Sequence, residues 1–318
     1  MSTAVPPPSE FPRPWRTPPA PEALRPLLLC ADDFAISEGV SEGILRLADA
    51  GRLTAVGCMT GSPLWSALAP GLASVAARCD VGLHLTLTDQ TPLGRLPRLA
   101  PDGRLPGRDR LLALALAGRL ADDGIAGEID AEIGRQWQAF VDARGRPPDF
   151  VDGHLHVHLL PVVRDALCAR LAGCTADARP YLRICWEPPA AVVRRRVAVG
   201  KALLLAALSR PLRREAGRRG LAGNDSFRGI HGFDPRVPFG PLMRRFLAGA
   251  GDRPLVMCHP GFVDARLRAI DPVTEQRRVE YDYLASERFA DDLAAAGVRL
   301  ARFRQMSPAG SPLPSALR

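Results

Sequence analysis

Five short apolar runs punctuate this chain, and each carries a chemistry-bearing residue at or near its end. Leu27–Ala31 is followed by Asp32 and Asp33, and Val81–Leu87 contains His84. Asp149–Val151 leads to Asp152 and His154, Tyr181–Cys185 contains Arg183, and Pro254–Cys258 is followed by His259. Near-continuous apolar runs of this length suit strands buried on both faces of a parallel sheet. Stretches with helical character alternate with them, around Ser41–Ala50, Ile125–Ala143, Val162–Ala172, Phe239–Ala250 and Ser286–Ala296. Within the second of these, Ile129, Ile133, Trp137 and Phe140 recur at helical spacing. The alternation predicts an α/β fold with parallel strands. The number of runs predicts a (β/α) barrel, closed or partly closed. Active sites of such folds lie where the strands' C-terminal ends meet, so the five runs deliver acids, imidazoles and a guanidinium to one rim.

Length and composition set the outer limits. The 318 residues, 47% hydrophobic and 24% charged, are ordinary for a globular protein with its own core. Residues 1–25 are rich in proline and polar side chains, which predicts a disordered leader. Residues 307–318 read as a flexible tail, leaving one domain over 26–306 with a helical insertion or lid at 186–232. The net charge of +8 is almost entirely arginine, since Lys201 is the only lysine. Aromatics are 6% and no basic run is interleaved with them. No stacking platform for bases is visible, so nucleic acid is not an expected partner. The seven cysteines are scattered without a CxxC, as in reduced cytosolic proteins, and the expected location is cytoplasmic. The segment 190–219 is an arginine-rich amphipathic helix or helix pair with a break expected near Pro211. It reads as a solvated face packing on the barrel, with a peripheral membrane contact as the sharper alternative. Homo-oligomerisation is left open.

The histidines are the sharpest signal. Three of the six lie in DGHLHVH, as His154, His156 and His158, and alternate residues share a face if the strand continues. Two adjacent carboxylates at a strand end repel each other unless a cation offsets them. Asp32 and Asp33 are therefore read together with the histidines as a metal site. One aspartate and two histidines leave positions open for water and substrate, and the second aspartate is free to act as a base. The competing reading makes Asp33 or Ser37 a helix cap. His84 would share the rim with the aspartates. His259, before a Pro-Gly turn, suits protonation of a leaving group. Arg183 is read either as an oxyanion or substrate-hydroxyl binder or as the partner of Glu187.

ADDFAISEGVSEGILRLADAGRLTAVGCM, VGLHLTLTDQTPL, RPPDFVDGHLHVHLLP and VMCHPGFVD, in that order, resemble the YdjC-like carbohydrate deacetylases over about Leu27 to Phe303. The resemblance implies a (β/α)-barrel hydrolase that removes acetyl groups from N-acetylated sugars with a divalent metal, magnesium or zinc. It implies Asp33, His84 and His154 as metal ligands, Asp32 as general base and His259 as acid. Substrate contacts are then expected from Arg183, Asp152, Asn224 and Phe227, the last two on a loop returning to the rim. Ala35 stands where the family usually has glycine, at a cost of about 1 kcal/mol if the position needs a positive φ. In the implied reaction the metal lowers the pKa of its water and polarises the acetyl carbonyl. The alternatives are an amidohydrolase or phosphoesterase, and a non-catalytic carbohydrate- or metal-binding relative. An amidohydrolase usually carries H-x-H after its first strand, where this chain has Asp-Asp.

Overall fold

In the computed structural model, each of the five apolar runs contributes a strand. The structure describes residues 24–249 and 251–306; the Pro-rich leader, apart from its last residues, and the tail lie outside the described residues. The strands are β1 (Arg25–Phe34), β2 (Ala55–Cys58), β3 (Asp80–Leu85), β4 (Phe150–Gly153), β5 (Tyr181–Leu182), β6 (Ser226–Arg228), β7 (Pro254–Cys258) and β8 (Val298–Leu300). All pair in parallel, in the order β5-β4-β3-β2-β1-β7-β6, while β8 joins the start of β1. The sheet curls until its edges meet. Leu182 bridges to Gly223, and the buried Asn224 amide clamps the backbone N–H and C=O of Ile184 at 2.8 Å each. The result is an incomplete barrel wrapped by helices.

Register places the polar residues. Ala31 faces Cys258, so the residues following them, Asp32 and His259, emerge side by side. His84 and Asp152 are direct partners between β3 and β4. The β1–β2 register shifts between Ala31 and Phe34. Asp33 has φ 68 and Ala35 φ 73, both in the left-handed region. Non-glycine residues held there store strain, which concentrates at functional sites.

The helices are α1 (Glu38–Asp49), α2 (Trp65–Leu68), α3 (Arg108–Leu116), α4 (Asp123–Arg144), α5 (Pro161–Ala172), α6 (Pro189–Arg195), α7 (Val199–Arg218), α8 (Phe239–Leu247), α9 (Ala265–Ile270), α10 (Glu275–Ala285) and α11 (Glu287–Ala295). Ser37, not Asp33, caps α1, accepting the Val40 N–H at 3.3 Å. A Cβ on Gly43 would lie 2.9 Å from Gly261 Cα. That glycine lets α1 press against the turn that follows His259. The helical periodicity of α4 buries Ile129, Ile133 and Phe140 against the sheet.

Three strands escape a reading by apolar runs. β2 has four residues including a glycine, and β6 and β8 have three residues each, with an arginine in both. The expected break near Pro211 is absent. α7 runs through it, because Leu205, Leu212 and Ala216 stay buried on one face. The break falls instead at Arg196 and Ala198, both at positive φ, between α6 and α7. The stretch 186–232 also supplies β6, so it is part of the barrel wall as well as its helical cover.

The Ala35 φ makes the cost anticipated from the sequence testable. Ala35→Gly should stabilise the protein by about 0.5–1 kcal/mol, part of the relief being lost to the freer unfolded chain. Thermal denaturation should show the midpoint rising by about 1–3 °C.

Candidate active site

The strand ends converge on Asp33. Its Oδ1 lies 2.9 Å from His154 Nδ1 and 3.3 Å from His84 Nε2. One ligand atom from each of these three residues lies within 4.8 Å of the others. His84 Nδ1 meets Asp152 Oδ1 at 2.6 Å, which fixes the ring and turns Nε2 toward Asp33. A carboxylate oxygen and two ring nitrogens, one of them oriented by a second carboxylate, are a donor set that fits a divalent cation. Burial alone would depress the His84 imidazole, but Asp152 and Asp32 outweigh it and lift it to about 10. A proton there must leave before Nε2 can donate to a cation. Cation affinity should therefore rise with pH, about tenfold per unit from about pH 7 to about pH 9, and level off above His84's own pKa. Titrating the cation at several pH values checks the slope; a flat profile would contradict this role for His84.

Asp32 sits beside this triad in a different environment. Arg183, fully buried, grips both its oxygens at 2.6 Å and also reaches Asp152 Oδ2 at 2.6 Å. Burial would raise the Asp32 carboxyl, yet Arg183 holds it well below the usual carboxylate range. Asp33 is likewise held down against burial, by His154 and Arg277. Arg183 is thus neither the partner of Glu187 nor turned outward to a substrate; it orients two carboxylates from within the wall. Cys30, Asp32 and Asp152 also cluster closely, but the Arg183 guanidinium already fills their midst.

His259 Nε2 lies 4.0 Å from Asp32 Oδ2, and its Nδ1 is buried without a hydrogen-bond partner among the described residues. Burial depresses this imidazole despite the nearby Asp33 and Asp32. The Phe233 ring stands edge-on to it at 5.1 Å. His154 and His259 keep 18% and 14% of their side chains exposed, against 3% or less for Asp32, Asp33 and His84. The site therefore opens on the side of these two histidines.

Other expected residues lie elsewhere. The strand does not continue through DGHLHVH; it turns into a 3₁₀ segment, His154–Leu159, with Leu155 and His156 at positive φ. His154 alone joins the triad. His156 and His158 face the Cys185 thiol at 3.7 and 3.6 Å. Asn224 spends its amide on the backbone of Ile184 and Ser226. Phe227 is buried against Arg183 and His156 and forms part of the wall.

Two residues went unnoticed in the sequence. Arg277 of α10, fully buried, donates to Asp33 Oδ2 at 2.7 Å and Asp271 Oδ2 at 2.8 Å. It engages one oxygen of Asp33 and leaves the other facing the histidines. Glu280, one turn on, accepts the His259 backbone N–H at 2.6 Å and contacts His231 Nε2 at 3.0 Å. Their only signal is spacing along one helix face, which a solvated helix also shows.

A curled parallel sheet that presents a carboxylate–histidine cluster at its C-terminal rim has the layout of a barrel-type enzyme. The family described as YdjC-like protein matches residues 26–295, and the chain belongs to it, an enzyme family of carbohydrate-deacetylase type. A chitooligosaccharide deacetylase of Serratia marcescens is 30% identical over 295 residues, covering 88% of this chain and 98% of that protein. Another, from Klebsiella pneumoniae (strain 342), is 29% identical, covering 89% and 99%. A crystal structure from Enterococcus faecalis V583, described as a candidate cellobiose-phosphate cleavage protein, superposes with a TM-score of 0.64 at 18% identity, covering 89% and 99%, and shares the fold. Among the described residues, no helix is long and apolar enough to cross a membrane.

Proposed function

We propose that this chain hydrolyses the acetamide of an N-acetylated sugar, with Asp33, His84 and His154 holding a divalent cation. The observation that carries the reading is the Asp33–His84–His154 cluster beside the Arg183-bound Asp32. The two full-length relatives named as chitooligosaccharide deacetylases support the substrate class. A cation bound by the three would polarise the acetyl carbonyl and supply a water acidic enough to yield its proton to a base as weak as Asp32. Two imidazoles and one carboxylate suit zinc, with magnesium, a cation of oxygen ligands, as the second candidate.

The chain's own groups divide the remaining work. Arg183 fixes the Asp32 carboxylate so that it accepts a proton in one geometry. His259, neutral at rest and 4.0 Å from Asp32 Oδ2, would close on that oxygen to take up its proton and then hand it to the departing amine. Arg277 keeps Asp33 from turning away, and Glu280 holds the backbone that carries His259. Phe233 offers an apolar ring beside His259, suited to packing against the CH face of a sugar. The site serves a cytoplasmic enzyme in this reading.

Incubation with N-acetylglucosamine oligomers tests it. Mass spectrometry should show products lighter by one acetyl group, with stoichiometric acetate. Intact oligomers, with a cation bound, would instead favour a non-catalytic carbohydrate binder.

A further inference from the structure

The arginine-rich segment has no part in the chemistry above, yet its start builds a cavity. Between α6, the end of β6 and α8 lies a space of about 580 Å³ lined by Arg194, Arg195, Arg196, Arg228, Arg245 and Glu187. Two of these arginines are structural. Arg228 donates to Glu187 Oε1 at 3.0 Å and to the carbonyls of Phe246 and Ala248 at 2.7 and 2.9 Å. Arg195, also buried, pairs with the other Glu187 oxygen. One carboxylate therefore serves two buried guanidiniums. Asp225 lies near Arg228 but spends one oxygen on the Asp252 and Arg253 backbone N–H groups. The remaining three are uncompensated. Among the described residues no carboxylate pairs with Arg194, Arg196 or Arg245, and Arg245 donates only to the Arg196 carbonyl at 3.2 Å. Burial and the neighbouring Arg228 together depress Arg195 to about 10, as expected where like charges crowd.

We propose that this cavity is a second, non-catalytic site for a phosphate-class dianion. Guanidinium forks match phosphate oxygens in geometry as well as charge. A soluble phosphate ester or the phosphate headgroup of a lipid would supply that chemistry. Val193 beside Arg194, and Leu204 and Leu208 on α7, are exposed and would suit the lipid source.

Calorimetric titration of the full chain with inorganic phosphate and with glucose 6-phosphate, using glucose as control, tests the soluble source. Flotation with phosphatidylcholine vesicles, with and without phosphatidic acid, tests the lipid one. The site predicts binding in at least one arm, weakened about tenfold or more in R194A/R196A. Both positions are exposed, so the thermal midpoint should not move. The control R210A/R214A, on α7, should retain binding. Absence of binding in both arms, or equal loss in the two double variants, would overturn the site.

Discussion

Asp32→Asn should lower acetate release by about 10²–10⁴-fold while leaving the cation in place. The substitution keeps the side chain's size and one oxygen acceptor but removes the charge that accepts the proton. Arg183 still has Asp152 Oδ2 at 2.6 Å, so the guanidinium is not left without a counter-charge. The cation ligands are unchanged, because Asp33 takes its own guanidinium from Arg277. Steady-state kinetics should show the loss in kcat, with KM nearly unchanged. Metal analysis of the same sample separates this result from simple loss of the site. A variant that keeps near-full activity would remove Asp32 from the role of base.

His84→Ala and His154→Ala should each weaken cation binding by about 100-fold or more, since even partners of metal ligands are worth about 10–100-fold. The two variants differ in a useful way. His84 is fully buried and bonded to Asp152, so its loss also leaves a cavity and an unpaired carboxylate oxygen. His154 lies at the open edge with part of its ring exposed, so His154→Ala should fold almost normally. Calorimetric titration of the metal-free proteins reads the affinity directly, without reference to turnover. Wild-type affinity in His154→Ala would remove that residue from the ligand set.

Much of this arrangement was legible because parallel strands write themselves as apolar runs. Where Leu27–Ala31 or Pro254–Cys258 ends, the first polar residue marks the rim, which located Asp32, Asp33 and His259. His84 was visible as a histidine inside such a run. What remained hidden depended on backbone turns and cross-strand partners. Alternation in DGHLHVH implies one face only while the chain stays extended, and Leu155 and His156 turn it. Arg183 gave no sign of its partners, because Asp32 reaches it from β1, far away in sequence, and Asp152 from across the neighbouring strand β4. Arg277 and Glu280 sit among charged residues on a helix that reads as solvated until its burial is known. The short strands β2, β6 and β8 lack the length that makes a pattern, and neighbouring strands define them.

The most direct test follows acetate release from N,N′-diacetylchitobiose by the metal-loaded protein, before and after a chelator. The account predicts release that stops on chelation and returns when a divalent cation is restored. Release that continues undiminished in protein shown to be metal-free would contradict it, because Asp33, His84 and His154 would then have no cation to hold during catalysis.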